Sequence, residues 1–319
     1  MKTTHLLLTS FFLGFFLPGA FAQGTVVPLY KGVIPGAKQT PVAYKEAHDT
    51  ASGYFTNVSV PSLTVYTPKK GTANGTAVII IPGGGYRVLV DEGEYFAREF
   101  TSRGITAFAL KYRLPSDEIM TDKSTGPLQD AQMAIQYVRR NTKKYGLDSN
   151  KIGFIGLSAG GHLATTVATH PETVLIDNPE NTSLRPDFLV LAYPVISFSE
   201  YPVTGTVARL LGPAPSSDSI RFFSSEKNAG PRTPPTFLVH AGDDARVAVQ
   251  HSLLFYQALL QAKVNAELHI LPNGGHAFAL EHPTRGNQWF SWCMDWLHDN
   301  VFGIQVKNKG PVSKTSRNR

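Results

Sequence analysis

The string TAVIIIPGG, residues 76–84, is apolar without a break from Ala77 to Ile81 and then ends in Pro82 and glycines. A run this short reads as a strand rather than a helix, and a strand with no polar alternation is buried on both faces. Both faces of a sheet are covered only when helices pack on each side. This one stretch therefore calls for an α/β architecture built on a mostly parallel sheet. Other stretches agree. Residues 62–68, 105–114, 151–157, 186–195, 234–242 and 266–272 read as strands. Residues 91–103, 127–145, 159–169, 247–262 and 287–300 are expected to be helices, with Pro127 at a helix start and Ala131, Ala134, Ile135 and Val138 at helical spacing. Strands alternating with helices predict helices on both faces of the sheet.

Two stretches stand outside the alternation. Residues 23–55 show no clear period and read as a lead-in. Residues 198–233, rich in Ser, Pro and Gly, read as a small insertion over the strand ends, where open α/β sheets place their ligands.

The ends of the chain are expected to lie outside the fold. Lys2, an apolar stretch and the small-x-small triplet Ala20-Phe21-Ala22 mark residues 1–22 as a signal peptide removed on export, too short for a spanning helix. A secreted or periplasmic location is the corresponding expectation, with no stable membrane insertion once the signal is gone. Residues 23–303 then form one domain, and 304–319 a basic tail expected to be disordered. The formal net charge of +6 does not imply a polyanionic partner. Lys2 and the five basic residues of the tail account for all of it, so residues 23–300 sum to zero and nucleic acid is not an expected partner. Cys293 is the single cysteine, so the domain rests on its core and not on disulfides. The sequence leaves the oligomeric state open.

Chemistry enters at KIGFIGLSAGGHLA, residues 151–164. Gly156-Leu157-Ser158-Ala159-Gly160 fits G-x-S-x-G between a buried strand and a helix, a sharp turn that presents the serine at the top of the sheet. A glycine-rich strand–helix turn with no catalytic role is the plainer reading. Residues further along the chain argue for more. A serine hydroxyl needs a base, and the base needs an orienting acid, in the chain order Ser, acid, His. HAGDDARV (240–247) ends a strand with two aspartates, and NGGHAF (273–278) ends the next with a histidine. Ser158 is thus the candidate nucleophile and His276 the base. Asp244 is favoured as the acid over Asp243, because it precedes an x-x-Val step into the next helix; Asp243 is left a structural or capping role. The backbone amides of Ala159, Gly84 and Gly85 are candidates for the oxyanion hole, the last two in PGGGY (82–86). Tyr86, Tyr193 and the 198–233 insertion are expected to shape the pocket. His162 and His240 read as structural. No Cys/His spacing suits a metal, no glycine-rich loop with lysine suits a phosphate, and the mechanism asks for no cofactor.

The strings PGGGY, KYRLP, LQDAQ, GLSAGGHLA, HAGDDARV, HSLLFYQAL and GGHAFAL, in this order, resemble secreted bacterial α/β-hydrolase carbohydrate esterases of the acetylxylan esterase and feruloyl-esterase-like group. The resemblance covers about residues 60–300. It implies the α/β-hydrolase fold, Ser158, Asp244 and His276 as the triad, and removal of acetyl, or less often feruloyl, groups from xylan or its fragments. Pro82 stands where hormone-sensitive-lipase-like esterases carry histidine before the glycines, which argues against that branch. Two rival readings are a serine peptidase of the prolyl-oligopeptidase type and a non-catalytic hydrolase-fold binding protein. Nothing here resembles a propeller domain, and no triad member is missing.

Overall fold

A computed structural model describes residues 24–281 and 285–303. The expected signal peptide and basic tail lie outside them. The strands are β1 (Thr25–Pro28), β2 (Ala47–Asp49), β3 (Tyr54–Thr56), β4 (Ser62–Tyr66), β5 (Ala77–Ile81), β6 (Leu89–Val90), β7 (Thr106–Lys111), β8 (Ile152–Leu157), β9 (Leu189–Ala192), β10 (Thr236–Ala241) and β11 (Ala266–Leu271). The helices are α1 (Gly93–Thr101), α2 (Gly126–Arg140), α3 (Thr142–Tyr145), α4 (Ala159–Thr169), α5 (Thr204–Leu211), α6 (Ser217–Phe222), α7 (Gln250–Gln261), α8 (Phe278–Glu281) and α9 (Arg285–Leu297).

An eight-stranded sheet has the order β1-β4-β7-β5-β8-β9-β10-β11. From β7 to β11 the neighbours are all parallel, while β4 runs antiparallel to β7 and β1 antiparallel to β4. The alternation of strand side chains explains the unbroken apolar runs. In β5, Ala77, Ile79 and Ile81 enter a core shared with α2, α4 and α7, whereas Val78 and Ile80 enter a core shared with α1 and α9. The mostly parallel sheet with helices on both faces is the expected fold. Parallel pairing sets the carboxyl ends of β5, β8, β10 and β11 along one edge, which is what brings distant loops together.

Two features differ from the sequence reading. The lead-in is not featureless: β1 extends the main sheet, and β2 and β3 join β6 in a three-stranded antiparallel sheet. β1 and β3 take their partners β4 and β6 from further along the chain, and β2 and β3 are only three residues each, so no local period announces them. The helix expected over 127–145 breaks at Asn141, and α3 then closes on Gly146 in the left-handed region (φ 65°). The 198–233 insertion folds as α5, α6 and a short 3₁₀ turn, held down by Phe198, Val207, Leu210 and Phe223 in the core.

Candidate active site

Ser158 sits between the end of β8 and the start of α4 with φ 52° and ψ −118°, a conformation costing a non-glycine residue roughly 1–3 kcal/mol. Its surroundings hold it there. Its N–H donates to the Ala192 carbonyl (3.1 Å), and its carbonyl accepts from Gly161 (3.0 Å) and Val195 (3.0 Å). The turn is also tight enough to demand glycine on both sides. A Cβ on Gly160 would lie 2.0 Å from the Ile81 carbonyl oxygen, and one on Gly156 would lie 2.6 Å from the Gly161 Cα. The close approach of α4 to β8 and β5 is therefore written in the glycines of the motif.

The three expected residues meet. His276 Nε2 lies 2.9 Å from Ser158 Oγ, and His276 Nδ1 lies 2.7 Å from Asp244 Oδ2. A carboxylate only accepts, so Nδ1 carries the proton and Nε2 faces the hydroxyl with its lone pair. Asp244 is positioned by further donors. The amides of Arg246 and Val247 donate to its Oδ1 at 2.9 Å each, and His240 Nε2 lies 3.3 Å from Oδ2. Burial alone would raise the Asp244 pKa; the bonds from His240, His276 and Val247 outweigh it and hold the carboxyl well below its usual range. Asp243 takes the other role open to it: its Oδ1 accepts from the Gly275 amide (2.8 Å), pinning the loop that carries His276. Both histidines expected to be structural are so. His240 bonds Ser252 and the Val247 carbonyl as well.

The glycine loop after β5 is pinned by its carbonyls. Tyr112 Oη donates to the Pro82 carbonyl (3.1 Å), and the Gly83 amide donates to Glu92 Oε1 (2.7 Å), so one peptide is held at both ends. The Gly83 carbonyl accepts from Val90 (3.2 Å), and that of Gly84 accepts from Arg87 (3.0 Å) and Val88 (3.2 Å). A trans peptide sets each N–H opposite the preceding C=O. The amides of Gly84 and Gly85 are thereby turned away from these contacts. Like the amide of Ala159, they have no acceptor among the described residues. Gly84 has φ 123°, and a Cβ there would lie 2.1 Å from the Val88 carbonyl oxygen, so this turn too is closed to other residues.

Glu92 carried no motif signal. It opens α1 without capping it; its buried carboxylate serves the glycine loop instead, and burial pushes its pKa up to about 7 against the pull of the Gly83 amide. Tyr86 is a correction. Expected to shape the pocket, its ring is buried beneath it, with Oη 2.9 Å from His162 Nδ1. The φ of 57° at Tyr86 turns the side chain into the core instead of the cleft. His162 Nε2 donates to the Phe223 carbonyl (2.8 Å) and its ring stacks on Phe198. It thus ties α4, the glycine loop and the insertion together. Burial pushes its pKa down to about 4, so it is neutral at pH 7. Tyr193 does line the cleft, and its ring meets His276 edge-on at 4.9 Å.

These groups open into a cavity of about 360 Å³. Ser158, His276, Gly84 and Gly85 line it, together with Val203 and Thr206 of the insertion and Tyr54 of β3. The insertion reaches the site as expected, while the contribution of the lead-in through Tyr54 was not legible.

A family model described as BD-FAE matches residues 63–259. Over 234 residues, 72% of this chain, the sequence is 34% identical to the endo-1,4-beta-xylanase B of Butyrivibrio fibrisolvens. Over 233 residues, 71% of this chain, it is 30% identical to an acetylxylan esterase of Xylanibacter ruminicola. The matched parts span 36% and 44% of those two proteins, less than half of each. Among solved structures, the acetyl ester-xyloside bifunctional hydrolase of Caldicellulosiruptor lactoaceticus superposes with a TM-score of 0.73 at 36% identity, covering 89% of this chain and 99% of that one.

Proposed function

The chain belongs to the BD-FAE family, and we propose that it is a serine carboxylesterase removing acetyl groups from xylan or xylo-oligosaccharides through an acyl-enzyme. The observation that carries the proposal is the unbroken relay Ser158–His276–Asp244. Ser158 Oγ attacks the ester carbonyl as His276 Nε2 takes its proton, and Asp244 stabilises the imidazolium without taking a proton itself. The amides of Gly84, Gly85 and Ala159 receive the developing oxyanion; one such donor is commonly worth roughly 10²–10³ in rate. His276 returns the proton to the departing sugar oxygen. A water then attacks the acyl-serine, giving its proton to His276, and acetate leaves with Ser158 restored. The substrate class rests on the similarity to a protein named acetylxylan esterase and to a solved acetyl ester-xyloside hydrolase.

The test is acid release from acetylated xylo-oligosaccharide and from methyl ferulate, side by side, with Ser158→Ala as control. Acetate release that disappears in a normally folded Ser158→Ala is the expected result. Ferulate release alone would keep the chemistry and change the acyl group. Turnover retained by Ser158→Ala would overturn the mechanism.

A further inference from the structure

The wall of the catalytic cavity carries a charge pattern that hydrolysis of a neutral ester does not require. Arg87 and Arg246 line the cavity, and the guanidinium of Arg209 reaches the glycine loop, with Nη1 3.3 Å from the Gly85 carbonyl. They come from three segments: the turn after the glycines, helix α5 of the insertion, and the loop just past Asp244. All three side chains are exposed, and none is in an ion pair among the described residues.

The carboxylates nearest them are held by other partners. Asp244 is buried, faces His276 and His240, and accepts from the amides of Arg246 and Val247. Glu92, the one acidic residue among those lining the cavity, is buried and engaged by the Gly83 amide. Asp243, outside the lining, accepts from Gly275. Residues 23–300 carry no net charge, so a three-arginine rim is a local concentration and not a reflection of a basic protein. Guanidinium groups around a cleft raise the local concentration of anions and grip carboxylates in a planar, often bidentate, geometry. The cavity, at about 360 Å³, has room for a sugar unit next to the acyl group.

We propose that Arg87, Arg209 and Arg246 form a carboxylate-recognising rim, and that the preferred substrate is an acylated saccharide bearing an acidic sugar close to the ester. The sugar part of this inference rests on the proposed carbohydrate substrate; the rim does not. Arg87 and Arg246 also use their backbone amides, on the Gly84 carbonyl and on Asp244. Replacement by glutamine keeps those bonds and removes only the guanidinium.

The experiment compares kcat/KM for an acetylated xylo-oligosaccharide carrying a uronic acid with that for its neutral counterpart. A second pair, 4-acetoxybenzoate and phenyl acetate, asks the same question without a sugar. The protein is tested unaltered and as Arg87→Gln/Arg246→Gln and Arg209→Gln. The acidic-to-neutral ratio is expected to fall about tenfold in the double variant and severalfold in Arg209→Gln. In the unaltered protein it should fall as salt rises from low to physiological ionic strength. The readout is a ratio within each variant, so a general loss of activity cancels. A ratio that neither the substitutions nor salt changes, in both pairs, overturns the rim. If neither saccharide is cleaved but the aryl ratio responds, the rim stands and the carbohydrate substrate falls.

Discussion

Single side chains divide here into those that touch the reacting atoms and those that hold the former in place. Glu92 belongs to the second group, because its carboxylate fixes the peptide from which the Gly84 and Gly85 amides are hung. Glu92→Ala is expected to lower kcat roughly tenfold to a hundredfold with KM little changed, since a misplaced donor is lost from the transition state more than from the ground state. Glu92→Gln keeps an acceptor for the Gly83 amide and should retain most of the activity. Steady-state kinetics on an aryl acetate separates the two, and equal losses in both variants would remove Glu92 from the positioning role. Glu92 was not legible in the sequence because an acid at a helix start is ordinary there; only the return of the chain beside Gly83 makes it otherwise. The strings KYRLP and LQDAQ were legible as shared features, but their meaning was not. Arg113 and Asp130 are a buried ion pair, which Tyr30 Oη also joins at 2.9 Å from Asp130 Oδ1, and they anchor the lead-in and not the chemistry.

At the level of elements, the passage from β8 into α4 is the part most completely dictated by local sequence. Gly156 and Gly160 are there because a side chain would overlap backbone. Gly160→Ala is expected to cost about 3 kcal/mol or more, as the Cβ must displace the Ile81 carbonyl at the end of the central strand. Gly146→Ala, in open space at the end of α3 with φ 65°, should cost only about 1 kcal/mol. Denaturant melts of the two variants, with fluorophosphonate labelling of Ser158, provide the comparison; a Gly160→Ala protein as stable as Gly146→Ala would refute the packing argument. The insertion and the lead-in are the opposite case. Val203, Thr206 and Tyr54 reach the cavity through elements with weak local signals, since short helices and short strands take their stability from what they pack against.

Across the whole molecule, buried titratable groups set an acid limit to stability. His162 and His251 are held neutral, each with its pKa pushed down by burial from 6.5 to about 4. A depressed histidine contributes fully above pH 6.5, and that contribution is lost as pH falls toward 4. Glu92 has the opposite sign: raised from 4.5 to about 7, it contributes fully below 4.5 and loses this as pH rises through 7. For these three groups falling pH therefore brings two losses and one gain, each of about 3 kcal/mol, and a net loss of about 3 kcal/mol between pH 7 and 4. His170, also depressed by burial, adds to the loss, and Asp130, raised by burial, works against it. Denaturant titrations at the two pH values should show it, with a larger loss in Glu92→Gln, which lacks the gain; equal stability at both pH values would contradict the assignment. The apolar runs and the motif glycines were enough to specify a parallel sheet with covered faces and the turn at Ser158, because each depends on residues within a few positions of one another. The chain order of the triad was legible from successive strand ends that carry first two aspartates and then a histidine. Only the tertiary structure decided that Asp244 and not Asp243 meets His276, that Tyr86 turns inward, that Glu92, Tyr54, Arg87 and Arg246 line the site, and that Arg209 reaches its glycine loop. Those outcomes depend on which strands lie side by side and on the direction of side chains brought together from distant segments, and no local pattern in the chain records either.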